Sequence, residues 1–388
     1  MKYWRGYLTA AILLFFSIAL QKFAETHTVL IDMVYPYVSR MIQDFLAGWS
    51  GTVDFCVWQL AVVVFAVVVL ATLVLLVIFR WNPIQWLGWI AAVVSLVFFL
   101  HTGMYGLNYY AGPLAEDIRL EMADYTLSEL ERATVYYRDK ANTYAELIRR
   151  DGQNNPVYPE FRELAEQAGE GFQTLVYEKS YAVFAGSTEP VKELGWADMY
   201  TSMGITGFTL SITGEAAVNP QIPVVSLPFT MCHEMAHRTC IASERDANMA
   251  AFLACSENSS VEYQYSAYFM AFRYCYNAIA GVGARESASR VSSGMSDLLR
   301  QDMNAYDDFF ATHKDEVATE VATTVNDSYI KVNGDEQGVA SYGEVCDLLV
   351  SWHIQQVILP MHLDEEVQFD PYDETQVDLT GLVPATNG

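Results

Sequence analysis

The sequence predicts a mainly α protein in which N-terminal transmembrane helices precede a mostly helical α+β domain. Three observations carry this. Long apolar runs crowd into the first 102 residues, and the charged residues gather after them in segments of helical periodicity. One stretch rich in glycine, threonine and β-branched residues, 203–229, interrupts the helices. Hydrophobic residues make up 52% of the chain and the mean hydropathy is +0.14, which places part of it in lipid.

The anchor, residues 1–102, holds three runs. The first, about 7–22 with YLTAAILLFFSIAL at its heart, follows Lys2 and Arg5. No small-x-small cleavage site comes after it, so it is expected to stay as an anchor. The second, about 56–79, has no charge and at 1.5 Å per residue crosses a hydrocarbon core of about 30 Å. The third, about 84–101, follows a turn marked by Asn82 and Pro83. Lys2, Arg5 and Arg80 fall on one side of these three spans and mark it as cytoplasmic. Lys22 and Arg40, in the loop between the first two spans, pull the other way. The expectation is a multi-pass protein of the cell membrane, in contact with the lipid bilayer, with an extracytoplasmic domain over 103–363 and an acidic tail over 364–388.

Charge excludes one class of partner. The first 102 residues carry five basic and four acidic side chains; the remaining 17 basic and 43 acidic residues leave a net charge of −26. No basic surface able to neutralise a phosphate backbone can be drawn from that pool, so no nucleic-acid partner is expected. The six cysteines include one at the start of an apolar run and no CxxC, so neither a disulfide framework nor a zinc knuckle is specified.

Beyond the anchor, 113–150 and 159–183 have helical spacing, the second interrupted by glycines. Residues 203–229 predict one or two short strands. Helical pattern resumes over 261–282, 286–310, 316–333 and 341–357. The segment at 261 is too aromatic and charged for a fourth span and suits a helix packed in protein.

The chemistry centres on HEMAH, residues 233–237. On a helix His233 and His237 lie one turn apart on one face, so both imidazoles can bind one Zn²⁺, while Glu234 sits next to the first ligand and can polarise a water at the metal. Two satisfied core histidines are the alternative. A catalytic zinc has three protein ligands and an open position. The residues three and six beyond His237 are Cys240 and Ser243, which rules out a third histidine there. Glu244 is the better candidate, opening a helix that Ser243 is placed to cap with Asp246 at the capping-box position. Asn248, one turn beyond Glu244, is placed to fix a ligating histidine. Glu257 and Glu262 are rival ligands, neither followed one turn later by Asp or Asn.

These segments carry a resemblance. PFTMCHEMAHRTCIASERDANMAAFLAC, with GITGFTLSITGEAAVN upstream and SYIKVNGDEQGVASYGEVCDLL downstream, resembles the bacterial membrane family DUF3810, grouped with the gluzincin-like metallopeptidases. The resemblance implies a zincin-like domain that hydrolyses a peptide or protein substrate with Zn²⁺. In gluzincins a glutamate in an ExxAD element completes the metal triad; carried over, it is Glu244, with Asn248 where those enzymes have aspartate. In such a reaction Glu234 moves the proton from water to the leaving amine. The oxyanion needs a further donor, for which Tyr329, Lys331, Tyr263 and Tyr265 are candidates. A membrane sensor or scaffold that keeps the domain without catalysis is the rival reading. Glu234 argues against it, because a purely structural His₂Glu site has no need of that carboxylate.

Overall fold

The computed structural model describes residues 4–332 and 345–360. The acidic tail expected over 364–388 lies outside the described residues.

Four long helices precede the domain. α1 (Arg5–Thr26), α3 (Val57–Ile78) and α4 (Pro83–Met104) are long and apolar enough to cross a membrane, with mean hydropathies of 1.6, 3.4 and 1.9, and coincide with the three runs. Asn82 starts α4 as its sequence suggests: the side chain accepts from the N–H groups of Ile84 and Gln85 at 2.9 and 3.2 Å, and Pro83 takes the first helical position, where no N–H is needed. Between α1 and α3, where a loop is expected, the chain forms α2 (Thr28–Ser50), separated from α1 by His27 alone. Pro36 inside the helix and the charges of Asp32, Arg40 and Asp44 disguise it in the sequence.

The helical pattern of 113–150 is divided in the structure. α5 (Leu114–Asp117) is a single turn, stopped where Arg119 turns left-handed at φ 55°. α6 (Leu127–Leu147) begins afresh at a reciprocal cap, Thr126 bonding the Glu129 N–H and Glu129 bonding back to Thr126. α7 (Phe161–Gln167) and α8 (Gly169–Tyr177) follow.

A three-stranded sheet comes next, β1 (Lys192–Glu193), then helix α9 (Ala197–Ser202), β2 (Gly207–Leu210) and β3 (Glu215–Val218). The order is β1-β3-β2, with β1 parallel and β2 antiparallel to the fully buried β3. β1 has only two residues, too few for any periodicity to reveal it. Gly214 closes the β2–β3 turn at φ 64°, and a Cβ there would lie 2.6 Å from the Ala47 nitrogen, so the hairpin rests directly on α2.

The rest is helical: α10 (Leu227–Arg238), α11 (Glu244–Ser256), α12 (Val261–Gly281), α13 (Arg285–Ser293), α14 (Asp297–His313), α15 (Glu316–Val332) and α16 (Val345–His353). α12 runs through the middle, packed along α6 and against α10, α11 and α16, and buries Tyr263, Tyr265, Phe269 and Phe272. Its aromatic content therefore serves a protein core.

Several contacts join the apolar helices to the domain, among them these. The Glu215 carboxylate accepts the Val57 and Trp58 N–H groups at the start of α3, the His101 Nδ1 near the end of α4 lies 2.9 Å from Ser211 Oγ, and Gln21 near the end of α1 donates to the Val332 carbonyl at 3.2 Å. The domain thus sits at one end of the three helices, with Arg5 and Arg80 at the other.

Candidate metal centre

α10 presents two unlike faces. Met231, Cys232, Met235 and Ala236 are buried in the core, which turns His233 and His237 toward α11. The helix ends through Cys240, left-handed at φ 74°, with the Ile241 N–H bonded to the Ala236 carbonyl at 3.1 Å. This turn folds the Ile241 carbonyl back to 2.9 Å from His237 Nδ1. The bond fixes the ring so that Nε2 faces the site. Cys240 thus acts through backbone shape and packing.

Glu244 opens α11. Ser243 stands at the cap position but makes no side-chain capping bond, and Asp246 instead accepts the Leu114 N–H at 3.0 Å, so the expected capping box is not formed. The Nε2 atoms of His233 and His237 are 3.1 Å apart, and Glu244 Oε2 lies 3.2 and 3.4 Å from them. Donors held 2.0–2.2 Å from a tetrahedral zinc are about 3.3–3.6 Å apart, so the three edges match one face of its coordination shell to within a few tenths of an ångström. Glu244 Oε2 is buried without a hydrogen bond, as is His233 Nδ1. Among the described residues this is the group of three His, Cys, Asp or Glu side chains that converges closely enough to hold an ion.

The three side chains stabilise one another's charge. Burial pushes the His237 imidazole down, but the Glu244 carboxylate and, behind it, Glu234 outweigh this and lift it to about 9. Burial likewise opposes the charge on Glu244, yet the two imidazoles hold its carboxyl well below the usual range. A divalent cation between them would stabilise the same carboxylate and displace the imidazole proton.

Glu234 points the other way round the helix, to the sheet. Thr209 of β2 donates its hydroxyl to Glu234 Oε2 at 2.7 Å and to the Glu234 carbonyl at 2.9 Å. Gly207 leaves the space the carboxylate fills, since a Cβ there would overlap it. Burial raises the Glu234 carboxyl, while His233, His237 and the Thr209 bond pull it down. β2 is one of the two edge strands of the sheet, so the strand that holds this carboxylate has an unpaired side among the described residues. Neither Thr209 nor Gly207 is distinctive in the sequence; the short alternation in GFTL is the only trace of their role.

Asn248 is buried, but no hydrogen bond joins it to a histidine. Its Oδ1 accepts from the Tyr274 hydroxyl at 3.1 Å and its Nδ2 has no partner. Of the two histidine nitrogens that face away from the site, that of His237 is taken by the Ile241 carbonyl.

The remaining candidates separate. Tyr329 lies within the influence of the Glu244 charge: although 42% of the residue is exposed, its hydroxyl is enclosed, 3.2 Å from His101 Nε2 and beside Tyr109. Burial, with the Glu244 charge, pushes that phenol up to about 12. Lys331 instead pairs with Asp327 at 2.8 Å on the helix surface. Tyr263 donates to the Leu164 carbonyl and Tyr265 to Asp302, both within the core. Glu257 pairs with Lys179 at 3.0 Å and Glu262 accepts from Ser260. A cavity of about 800 Å³ lies on the far side of the 240–243 turn, bordered by Arg40, Tyr109 and Asp246, and contains none of the three convergent side chains.

Fold and site define a mainly helical protein with three membrane-length apolar helices and a partly buried His₂Glu cluster shared by an HExxH helix and the helix after it. The chain belongs to the family described as a protein of unknown function (DUF3810), which it matches over residues 31–350. That description assigns no activity. No curated protein and no solved structure matches the chain.

Proposed function

We propose that the protein is a membrane-anchored, zinc-dependent metallopeptidase with a zincin-like domain. The observation that carries this is the triangle of donor atoms from His233, His237 and Glu244, with the Glu234 carboxylate held beside it by an edge strand. Zinc at that position would supply Lewis-acid polarisation. Glu234 takes the proton of the attacking water and returns it to the leaving amine, kept in place by Thr209. A peptide lying along the open side of β2 would pair through its backbone and pass the base. Tyr329 is the hydroxyl assigned to the developing oxyanion.

α1, α3 and α4 are read as spans. α3 supports this most directly, because it exposes Val67, Leu70, Val74 and Val77 at 57–70%, a surface that water would not tolerate. With Arg5 and Arg80 at the end away from the domain, the positive-inside rule puts the domain outside.

Purified protein and its Glu234→Gln form, compared for zinc content and for hydrolysis of a mixed peptide library, test the reading. Zinc in both with cleavage only in the wild type is expected; a wild type that binds no zinc, or a variant that cleaves equally well, overturns it. Reporters fused after residue 110 and inserted at Asn82 test sidedness, and the reverse of an outside and an inside signal sinks the extracytoplasmic site.

A further inference from the structure

α2 has two unlike long faces. Ser39, Gln43, Ala47 and Ser50 line the buried one, and two of them reach the domain and the end of α4: Ser39 donates to the Met104 carbonyl at 2.7 Å and Gln43 to the Ser211 carbonyl at 3.0 Å. Its three charged residues are also bound by the domain side. Asp32 accepts the Gly112 N–H, Arg40 donates to the Thr239 carbonyl, and Asp44 accepts the Ser187 N–H. The opposite face is bare and apolar, with Val38, Met41, Phe45 and Trp49 exposed by 48, 73, 75 and 56%.

Helix geometry says what lies against that face. At 100° per residue, Val38 and Phe45 follow Ile31 at intervals of seven, and Trp49 comes five whole turns after it, so all four share one line. Ile31 packs against Ala24 of α1 and Leu107 just beyond α4. The line therefore begins against the apolar helices and runs on past them uncovered. Both ends of α2 are tied to that layer, through His27 to α1 and through residues 51–56 to α3.

We propose that α2 lies in the plane of the domain-side membrane interface, with Val38, Met41, Phe45 and Trp49 among the lipid acyl chains. The partner is the bilayer itself, because the bare face continues the surface by which α1 and α4 meet lipid. The charge distribution is that of an in-plane helix, polar groups on the protein side and apolar groups on the other, with an interfacial tryptophan near its end. Through Arg40 and the Thr239 carbonyl, α2 then holds the turn after His237 at the membrane surface. The inference rests on reading α1, α3 and α4 as spans.

The test uses the full chain in phosphatidylcholine and phosphatidylglycerol vesicles, with a nitroxide on Met41→Cys, Phe45→Cys, Leu70→Cys in α3, or Glu146→Cys on the exposed side of α6. All six native cysteines are buried, so the label reports the introduced one. Collision rates with oxygen, which concentrates in hydrocarbon, and with a water-soluble nickel chelate give the depth of each site. Positions 41 and 45 are expected between the two controls, below the mid-bilayer Leu70→Cys and with an oxygen-to-nickel ratio several-fold above that of Glu146→Cys. A ratio like that of Glu146→Cys, while Leu70→Cys stays lipid-like, overturns the proposal and leaves the spans standing. Low collision with both reagents at 41 and 45 means that protein, such as a second copy of the chain, covers the face, and also overturns it. A water-like Leu70→Cys would take down the spanning reading together with the proposal.

Discussion

Lys192 and Glu215 form a buried ion pair, Nζ to Oε1 2.7 Å, and the same carboxylate receives the first two N–H groups of α3 at 2.7 and 3.0 Å. One side chain therefore links β1, β3 and an apolar helix, placing a negative charge where a helix N-terminus favours it. The Lys192 ammonium is fully engaged, donating also to the Ser50 and Phe55 carbonyls. Removing the carboxylate leaves this ammonium buried without its counter-charge, so Glu215→Ala is expected to destabilise the chain by roughly 3–5 kcal/mol. Glu215→Gln, which keeps an acceptor, should lose less. Thermal unfolding in detergent reads this, and an unchanged midpoint for Glu215→Ala would refute the junction.

His233→Ala, His237→Ala and Glu244→Ala are each expected to abolish stoichiometric zinc binding, because two remaining ligands hold a four-coordinate ion poorly. Glu257→Ala is the control, its partner being Lys179. Zinc titration against a competing chelator distinguishes them. Wild-type affinity in Glu244→Ala would dismiss the third ligand.

Gly207→Ala tests the support of Glu234 without touching a ligand. The added methyl overlaps the carboxylate, which must swing off the Thr209 hydroxyl. Zinc binding should persist while peptide hydrolysis falls by at least an order of magnitude, as expected when a positioned general base is displaced. Full activity in this variant would show that the carboxylate need not stay where β2 holds it.

Asn248 offers a test of tuning. Its unpartnered Nδ2 and the unpartnered His233 Nδ1 are two buried polar atoms in one small site. Asn248→Asp replaces a donor with an anionic acceptor and is expected to tighten zinc binding, whereas Asn248→Ala, which removes no bond to a histidine, should change it little. Three equal affinities would leave Asn248 as the partner of Tyr274 alone.

His353 makes stability depend on pH. Burial, with Arg132 nearby, lowers its imidazole from 6.5 to about 4. The unfolded chain then binds the proton more readily, so this contribution is whole above about pH 6.5 and is lost as the pH falls toward 4. Unfolding midpoints of wild type and His353→Leu, compared across that range, should converge on acidification as the wild type loses the advantage of its buried neutral ring. A constant difference from pH 7 to 4 would rule this out.

The sequence by itself determined what depends on local pattern. Length and apolarity mark α1, α3 and α4, Asn82 and Pro83 start a helix wherever they precede one, and a spacing of four puts His233 and His237 on one face. Only tertiary structure decided what depends on distant partners. The Asn248 one turn beyond it favours Glu244 over Glu257 and Glu262 in the chain, but only the packing of α10 against α11 brings its carboxylate to the imidazoles and leaves Glu257 with Lys179. Thr209 and Gly207 acquire their relation to Glu234 because an edge strand crosses the helix 25 residues later in sequence. Asn248 accepts from Tyr274, and it is the Ile241 carbonyl, folded back by a left-handed Cys240, that holds His237. α2 was hidden for the same reason: its Ser39, Gln43 and Arg40 look like loop polarity until the surfaces that bond them are in place, since a helix gains most of its stability from what it packs against.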